Sequence, residues 1–500
     1  MAPQSASFRI LSHAGLLVSA GGKNLVFDPW LVGSAYWRSW WNYPPVDPAV
    51  FEGLRADYLY LTQIRWDHFH GPTLRKFPRD TPILIPRLAS RRMHRDLEGM
   101  GFTDIRELSH GASAELAPGF KVTSYHFFPF NDSGAMVEAD GTVLFNANHG
   151  RFTGGPLDWI LRRHPRIDFV FRGHGPDDDR ICFDYIDSPA RRREDPYLRL
   201  EAFAAFAEKT GARYAIPFAT GYCHLHKETM HLNDAVVTPD QVVAHCRGRA
   251  DRGFEANAMV AGDSWSATGG FAIADGPWFR DRDRCLTRYA AAESERLERF
   301  DRLEASVDVS QDQLETYFRR FRAALPGFAL KQFEGRPITL VLTGKTLRRF
   351  WVDLEKGIVK EVGSVDDENH PMQIYTSSYI LRRCMALDLF HFLGTGKRVL
   401  FRVRREDAKW IHLLLILFNL YGCEMLPLRK LMAPRFWLAW APRWREAVLY
   451  AGILLRHGPR HPFIMEDYLR PKPVLARQVP RSQAAWKRWI FPLKRMESPI

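Results

Sequence analysis

The sequence predicts an α/β sandwich, two β-sheets packed face to face with helices outside them, followed by a smaller α+β unit. Three observations predict it. Short apolar runs separated by turn residues fill the first 265 residues. Those runs pair as an antiparallel meander at first and alternate with helical stretches later, and such layers bury their apolar faces only against one another. The chain of 500 residues is 46% hydrophobic and 25% charged, which excludes a disordered or fibrous protein and allows several packed units.

The elements follow in order. FRILSHA, GLLVSA and KNLVFDPW form the opening meander, with Gly21-Gly22 as a hairpin turn. DYLYLTQ (57–63), TPILIP (81–86), FKVTSYHFF (120–128), GAMVEAD (134–140) and TVLFNAN (142–148) continue it, then IDFVF (167–171) and YAIPFA (214–219). Residues 198–209 place Leu200, Phe203, Phe206 and Ala207 on one helical face. Residues 278–325 turn charged and helical, a connector with a solvated face. Residues 333–362 return to strand-like alternation and 379–431 are helix-rich. The expected division is 1–265 for the sandwich, 266–330 for the connector, 331–430 for the small α+β domain and 431–500 for a basic, aromatic-rich tail.

Charge and cysteine usage narrow the function classes. The net charge is +13, and residues 431–500 alone hold 13 Lys+Arg against 4 Asp+Glu. The body is therefore nearly neutral. Six cysteines without a CxxC pair argue against a disulfide framework, a zinc ribbon or an iron–sulfur cluster on this chain; no haem or flavin is expected either. The opening MAPQSASFRI has no apolar signal core, which leads to the expectation of a cytoplasmic protein. Residues 410–420 are apolar over about half of a membrane span and read as a buried helix.

The chemistry concentrates in Thr62-Gln63-Ile64-Arg65-Trp66-Asp67-His68-Phe69-His70-Gly71, directly after DYLYL. Carboxylate oxygen and imidazole nitrogen at a strand end both suit first-row metals. The bland alternatives are Asp67 capping the helix that follows at 72–74 and His68 as an ordinary buried histidine.

The surrounding segments resemble the metallo-β-lactamase fold and, within it, the CMP-N-acetylneuraminic acid hydroxylases and lactonase-like proteins. The resemblance is carried by DPWLVGSAYWRSWW (28–41), DHFHGPTL (67–74), MVEADGTVLFNAN (136–148) and IPFATGYCHLHKETMHLND (216–234). It implies an αββα sandwich. The metal motif of that fold is H-x-H-x-D-H; here those positions read Gln63, Arg65, Asp67 and His68. The next family histidine falls near Phe128, with His126 two residues away, and the bridging aspartate falls near Asn148, beside His149. The last falls at His224 or His226. One metal subsite is thus dismantled, while Asp67, His68 and His224 or His226 are expected to hold one iron or zinc ion, with His149 a further candidate. The paired Cys and His ligands of the hydroxylases' Rieske module are absent from this chain.

Arg65 stands where a second metal's ligand would be and repels a second cation. It is instead suited to an anionic substrate group, and Arg65 and Gln63 are the candidate catalytic residues. Trp37, Trp40 and Trp41 either line a substrate pocket or pack in the core. Residues 172–179 (RGHGPDDD) either face the site or form a solvated turn. GTGK at 394–397 lacks phosphate-loop spacing and reads as a helix end. In the tail, Trp437, Trp440, Trp444, Trp486 and Trp489 alternate with basic residues. They suit a peripheral membrane contact or an acidic electron-transfer protein; with no recognised nucleic-acid module, nucleic acid is not expected. The leading function is a mononuclear iron hydroxylase-like oxidoreductase acting on an anionic small molecule or sugar derivative. The alternatives are a single-metal hydrolase or lactonase, and a metal-free pseudoenzyme.

Overall fold

A computed structural model describes residues 5–127, 132–150, 152–175, 179–187, 196–249 and 253–457. Eight strands make the first sheet, in the order Gly270–Ala272, Ser264–Ser266, Ser7–Ile10, Leu16–Ala20, Lys23–Phe27, Tyr58–Tyr60, Ile83–Pro86, Ile105–Leu108. Seven make the second: Glu255–Ala256, Tyr214–Pro217, Phe169–Arg172, Thr142–Asn148, Asp132–Ala139, Phe120–Phe127, Ser113–Ala117. The first hairpin pairs Ala20 with Lys23. Gly21 and Gly22 both sit at positive φ, the twist that a two-residue hairpin turn requires and that glycine adopts without steric cost.

Period-two alternation sends Leu16, Val18 and Ala20 to one face. There they join Phe8, Phe27 and Tyr60 against Val122, Val137, Phe169 and Phe171 of the second sheet. Behind the second sheet, helices Gly154–Arg163, Pro196–Thr210 and Pro239–Arg247 press Leu157, Ile160, Phe203, Phe206 and Val242 onto Phe145 and Val170. Behind the first, Leu74, Met93 and Leu97 cover Val26, Leu59, Ile83 and Ile85. These are the four layers of an αββα sandwich, the metallo-β-lactamase-like fold.

The later chain builds a third, six-stranded sheet: Phe183–Tyr185, Leu400–Val403, Met372–Ser377, Ile338–Thr343, Arg348–Asp353, Ile358–Glu361. Three of its strands were not expected. Met372–Ser377 lies beyond the stretch that reads as strand-like. Leu400–Val403 lies in a stretch that reads as helix-rich, and four residues are too few for periodicity to separate strand from helix. Phe183–Tyr185 comes from within the first 265 residues and pairs in parallel with Leu400–Val403. The connector keeps its charges on a solvated face and buries an apolar one. Helix Gln311–Ala324, opened by a Ser310–Gln313 capping box, buries Leu314, Tyr317, Phe318 and Phe321. That core also holds Leu340, Phe350, Phe390 and Phe418, together with Trp30, Tyr36, Trp37 and Trp40 of the sandwich. Helix Ala408–Gly422 is mostly buried, with Lys409 and Ile416 exposed, and no helix among the described residues is long and apolar enough to cross a membrane. GTGK closes helix Phe392–Thr395, with Lys397 at positive φ.

One half-buried histidine of the outer layer has a pH consequence. His110 stacks on Trp159 (5.2 Å, 18°) and its Nδ1 accepts the His126 amide at 3.0 Å. Burial, then Arg443 and Arg163, push it down to about 3. Above the unfolded value near 6.5 both states are neutral; below it only the unfolded chain takes up the proton, so stability falls as pH drops toward the folded value. His110→Gln is expected to remove about 2 kcal/mol of the stability lost between pH 7.5 and 5. Urea melts of both proteins at the two pH values check this; equal losses would contradict it.

Candidate metal centre

The strands Ser7–Ile10, Lys23–Phe27 and Tyr58–Tyr60 of the first sheet and Thr142–Asn148 and Phe169–Arg172 of the second deliver their carboxyl ends to one edge of the sandwich. His13 follows the first of them in a tight turn, where the Leu11 amide donates to the Gly15 carbonyl at 2.8 Å. Asp28 follows the second and Asn148 ends another, both at positive φ, a conformation that Asn and Asp tolerate better than most residues. Asp67 and His68 lie in the turn after Thr62.

His13, Asp67, His68 and His149 present ligand atoms that all lie within 4.8 Å of one another. The first three are buried and His149 is partly exposed.

A second set of side chains orients the first. Asp28 Oδ1 accepts the Thr62 amide at 2.8 Å, and Oδ2 accepts the Thr62 hydroxyl at 2.6 Å and an Asn148 amide proton at 2.9 Å. The same Oδ2 lies 2.8 Å from His68 Nδ1. An imidazole that donates Nδ1–H to a carboxylate turns its Nε2 lone pair outward, the usual arrangement of metal-binding histidines. His68 Nε2 is buried without a hydrogen-bond partner; Asp67 Oδ2 approaches at 3.1 Å outside hydrogen-bond geometry. Asp67 is held by the Tyr36 hydroxyl on Oδ1 at 2.5 Å and by His13 Nε2 on Oδ2 at 3.1 Å. Gly173 is required here, since a Cβ at that position would come within 2.7 Å of His149 Nδ1.

The electrostatics are those of a cluster built around a positive charge. Burial opposes charge on both Asp67 and His68. The His68 and His13 imidazoles nevertheless hold the Asp67 carboxyl well below the usual range, and Asp67 and Asp28 raise His68 to about 9. A buried histidine orphaned at Nε2, fixed at Nδ1 and facing a carboxylate and two further imidazoles is a fitting donor set for one first-row metal ion.

The structure therefore brings together Asp67, His68 and His149 of the expected ligands and adds His13. It does not bring in His224 or His226. His224 Nδ1 lies 3.0 Å from the Ser39 carbonyl, and the stacked pair Trp40–Tyr222 packs against both His224 and His13. His226 has both ring nitrogens engaged, Nε2 with Asp301 at 2.9 Å and Nδ1 with the Glu228 amide at 3.2 Å. His126 bonds the Leu108 carbonyl; Phe128 lies outside the described residues. His13 was legible only as the one histidine of the turn SHAG at the end of the first strand, a signal that becomes specific once the strand ends are known to converge.

Gln63 is buried, and its Oε1 accepts Arg65 Nε–H at 2.6 Å. Arg65 is half-buried and close enough to act electrostatically on Tyr36. Trp37, Trp40 and Trp41 pack in the core and line no pocket described at the site. Trp37 meets Trp66 edge-on, Trp40 stacks on Tyr222 at 3.9 Å, and Trp41 meets Tyr289. Asp67 does not cap the following helix; the His70 side chain does, accepting the Thr73 amide. His174 is buried at the same edge but is not one of the four clustered groups, and Asp177 and Asp178 lie outside the described residues. A cleft of about 20 Å³ beside His13, lined by Ser12, Tyr43, Phe218 and Met259, has room for about one water.

The sheet order, the four layers and this strand-end cluster define a metallo-β-lactamase-fold protein. No family model matches the chain. Among curated proteins it is similar to a putative Rieske 2Fe-2S iron-sulfur protein of Mycobacterium tuberculosis, 27% identical over 281 residues, 52% of this chain and 53% of that one. It is also similar to the cytidine monophosphate-N-acetylneuraminic acid hydroxylases of Sus scrofa and Xenopus laevis. The first is 41% identical over 145 residues (27% of this chain, 33% of that one), the second 32% over 157 (29% and 26%). The chain spans about half the length of the Rieske-named relatives and a quarter to a third of the hydroxylases. Among solved structures, the diiron β-hydroxylase CmlA of Streptomyces venezuelae aligns at 17% identity and TM-score 0.37, covering 53% of this chain and 54% of that one. The metallo-β-lactamase fold protein YhfI of Bacillus subtilis aligns at 13% and 0.35, covering 53% and 100%.

Proposed function

We propose that this chain is the catalytic body of an iron-dependent, hydroxylase-like oxidoreductase acting on an anionic small molecule or sugar derivative, with electrons supplied by an acidic electron-transfer protein. The observation that carries the metal is His68, fixed at Nδ1 by Asp28 and orphaned at Nε2 between Asp67, His13 and His149. The choice of hydroxylation over hydrolysis is supported by the names of the hydroxylases to which the chain is similar over a quarter to a third of their length. Iron in such a site supplies oxygen activation; the chain's own residues supply the rest. Asp28, Thr62 and Asn148 hold the imidazole orientation, Tyr36 holds the carboxylate, and Arg65, set by Gln63, offers a guanidinium to an anionic group. Arg65 and Gln63 in place of the fold's histidines also support a single metal, since a guanidinium repels a second cation.

Hydrolysis is the second reading, because three histidines and a carboxylate equally suit zinc. Elemental analysis of protein purified without chelators separates the readings. About one iron per chain is expected; one zinc would favour the hydrolase, two metals would overturn the single-site reading, and no metal would overturn both. Arg65→Lys is expected to weaken binding of an anionic substrate about tenfold, because lysine cannot make the planar two-pronged contact. Unchanged KM in a substrate screen would confine Arg65 to its bond with Gln63.

A further inference from the structure

We propose that the helical face formed by residues 428–451 docks this protein on an anionic lipid bilayer. Helix Pro434–Trp440, the turn Ala441–Arg443 and helix Trp444–His457 make a nearly continuous helical run. Its polarity is inverted. The side turned to the body holds Ala439 and the ion pair Arg443–Glu446. The side turned to solvent holds Trp437, Ala441, Trp444, Val448 and Ala451, spaced four, three, four and three residues apart, which is one helical stripe. Trp437 is 63% exposed, Leu438 60%, Trp444 55% and Val448 63%, and Met432 in the preceding turn is 80% exposed. A contiguous apolar stripe of this kind facing water marks an interaction surface.

The charges around the stripe select the partner. Arg435 is paired with Glu107, and Arg443 with Glu446, the one acidic residue of the segment. The exposed charges left between 428 and 451 are Arg429, Lys430 and Arg445, all positive. Indole rings and cations around an aliphatic stripe match the interface of a bilayer with acidic headgroups, where tryptophan sits at headgroup depth and each cation gains from the surface potential. The sequence beyond, 458–500, adds 9 Lys+Arg against 3 Asp+Glu, so charge complementarity extends past the described residues. No described helix is long enough to span, so the contact is peripheral.

The test uses the full chain and sedimentation with vesicles of phosphatidylcholine, with and without one-third phosphatidylserine. Binding to the acidic vesicles is expected, falling as salt rises from 0.05 to 0.5 M. The triple variant Trp437→Ser, Leu438→Ser, Trp444→Ser changes exposed residues only and is expected to bind about tenfold or more weakly, with an unchanged circular dichroism melt. So is Arg429→Glu, Lys430→Glu, Arg445→Glu, by a similar factor. No vesicle binding overturns the proposal. Full binding by both variants also overturns it, because residues 458–500 would then carry the contact. A wild-type dimer that dissociates in the serine variant, without vesicle binding, assigns the stripe to a second copy instead and equally overturns it.

Discussion

His68→Ala and Asp67→Ala are each expected to leave the protein folded and almost free of metal, with content dropping from about one per chain to below about a tenth. Each change deletes a donor from the centre of the buried cluster. Asp28→Asn tests the layer behind it. The amide keeps the shape and the contact with Thr62 but cannot fix the His68 tautomer by accepting a strong charge-assisted bond at Nδ1, and metal affinity is expected to fall about 10- to 100-fold. Gln63→Ala, outside the donor set, is expected to change metal content little. His224→Ala sharpens the comparison, because it distinguishes the observed cluster from the ligand set that the sequence implies. Metal analysis after gel filtration, with circular dichroism as the folding control, reads all five. Loss of metal in His224→Ala together with retention in His68→Ala would overturn the site.

Arg398→Ala is expected to destabilise the protein by about 3–5 kcal/mol, because it leaves a buried carboxylate without its partner. The Arg398 side chain is fully buried. Its Nη2 meets both oxygens of Glu304 at 3.0 and 2.8 Å, Nε meets Glu228 at 3.0 Å, and Nη1 donates to the Trp37 carbonyl at 2.7 Å. One guanidinium thus ties the aromatic loop of the sandwich, the connector's helix Ser294–Glu304 and the third sheet together. Removing both charges, in Arg398→Met with Glu304→Leu, is expected to recover much of the loss, since a buried pair contributes less than its one-sided disruption costs. Urea melts check both. A single variant within about 1 kcal/mol of wild type would show that water reaches the pair.

The fold was legible because strands such as Leu16–Ala20 alternate cleanly and the helices behind the second sheet carry apolar faces. What escaped was contact between distant elements. Phe183–Tyr185 is three residues long and gains its partner 218 positions later, a pairing no local pattern encodes. At the site, Asp67 and His68 were legible from the strand-end motif and His149 from its place beside Asn148. His13 and Asp28 were not, because a ligand and its orienting carboxylate are brought in by strand order rather than by spacing. The family resemblance placed the last ligand at His224 or His226, whose ring nitrogens turned out to be engaged by Ser39, Asp301 and the Glu228 amide. The tryptophans of 37–41 have the composition of a sugar-stacking surface, and only packing shows that Trp37 and Trp40 serve the core shared with the third sheet while Trp41 packs in a smaller cluster with Cys223 and Leu286.

The strand Phe183–Tyr185 also sets a timetable for biosynthesis. Its partner Leu400–Val403 leaves the ribosome roughly ten to forty seconds later at ordinary rates of elongation. Once Ala272 has been made the sandwich can close, yet until Leu400–Val403 follows, Trp30, Tyr36 and Trp37 have no third-sheet core to cover them, and an unpaired strand edge stands open to other nascent chains. A chaperone that shields this aromatic face, or slow codons placed after residue 403, would act on yield without touching the finished protein's stability.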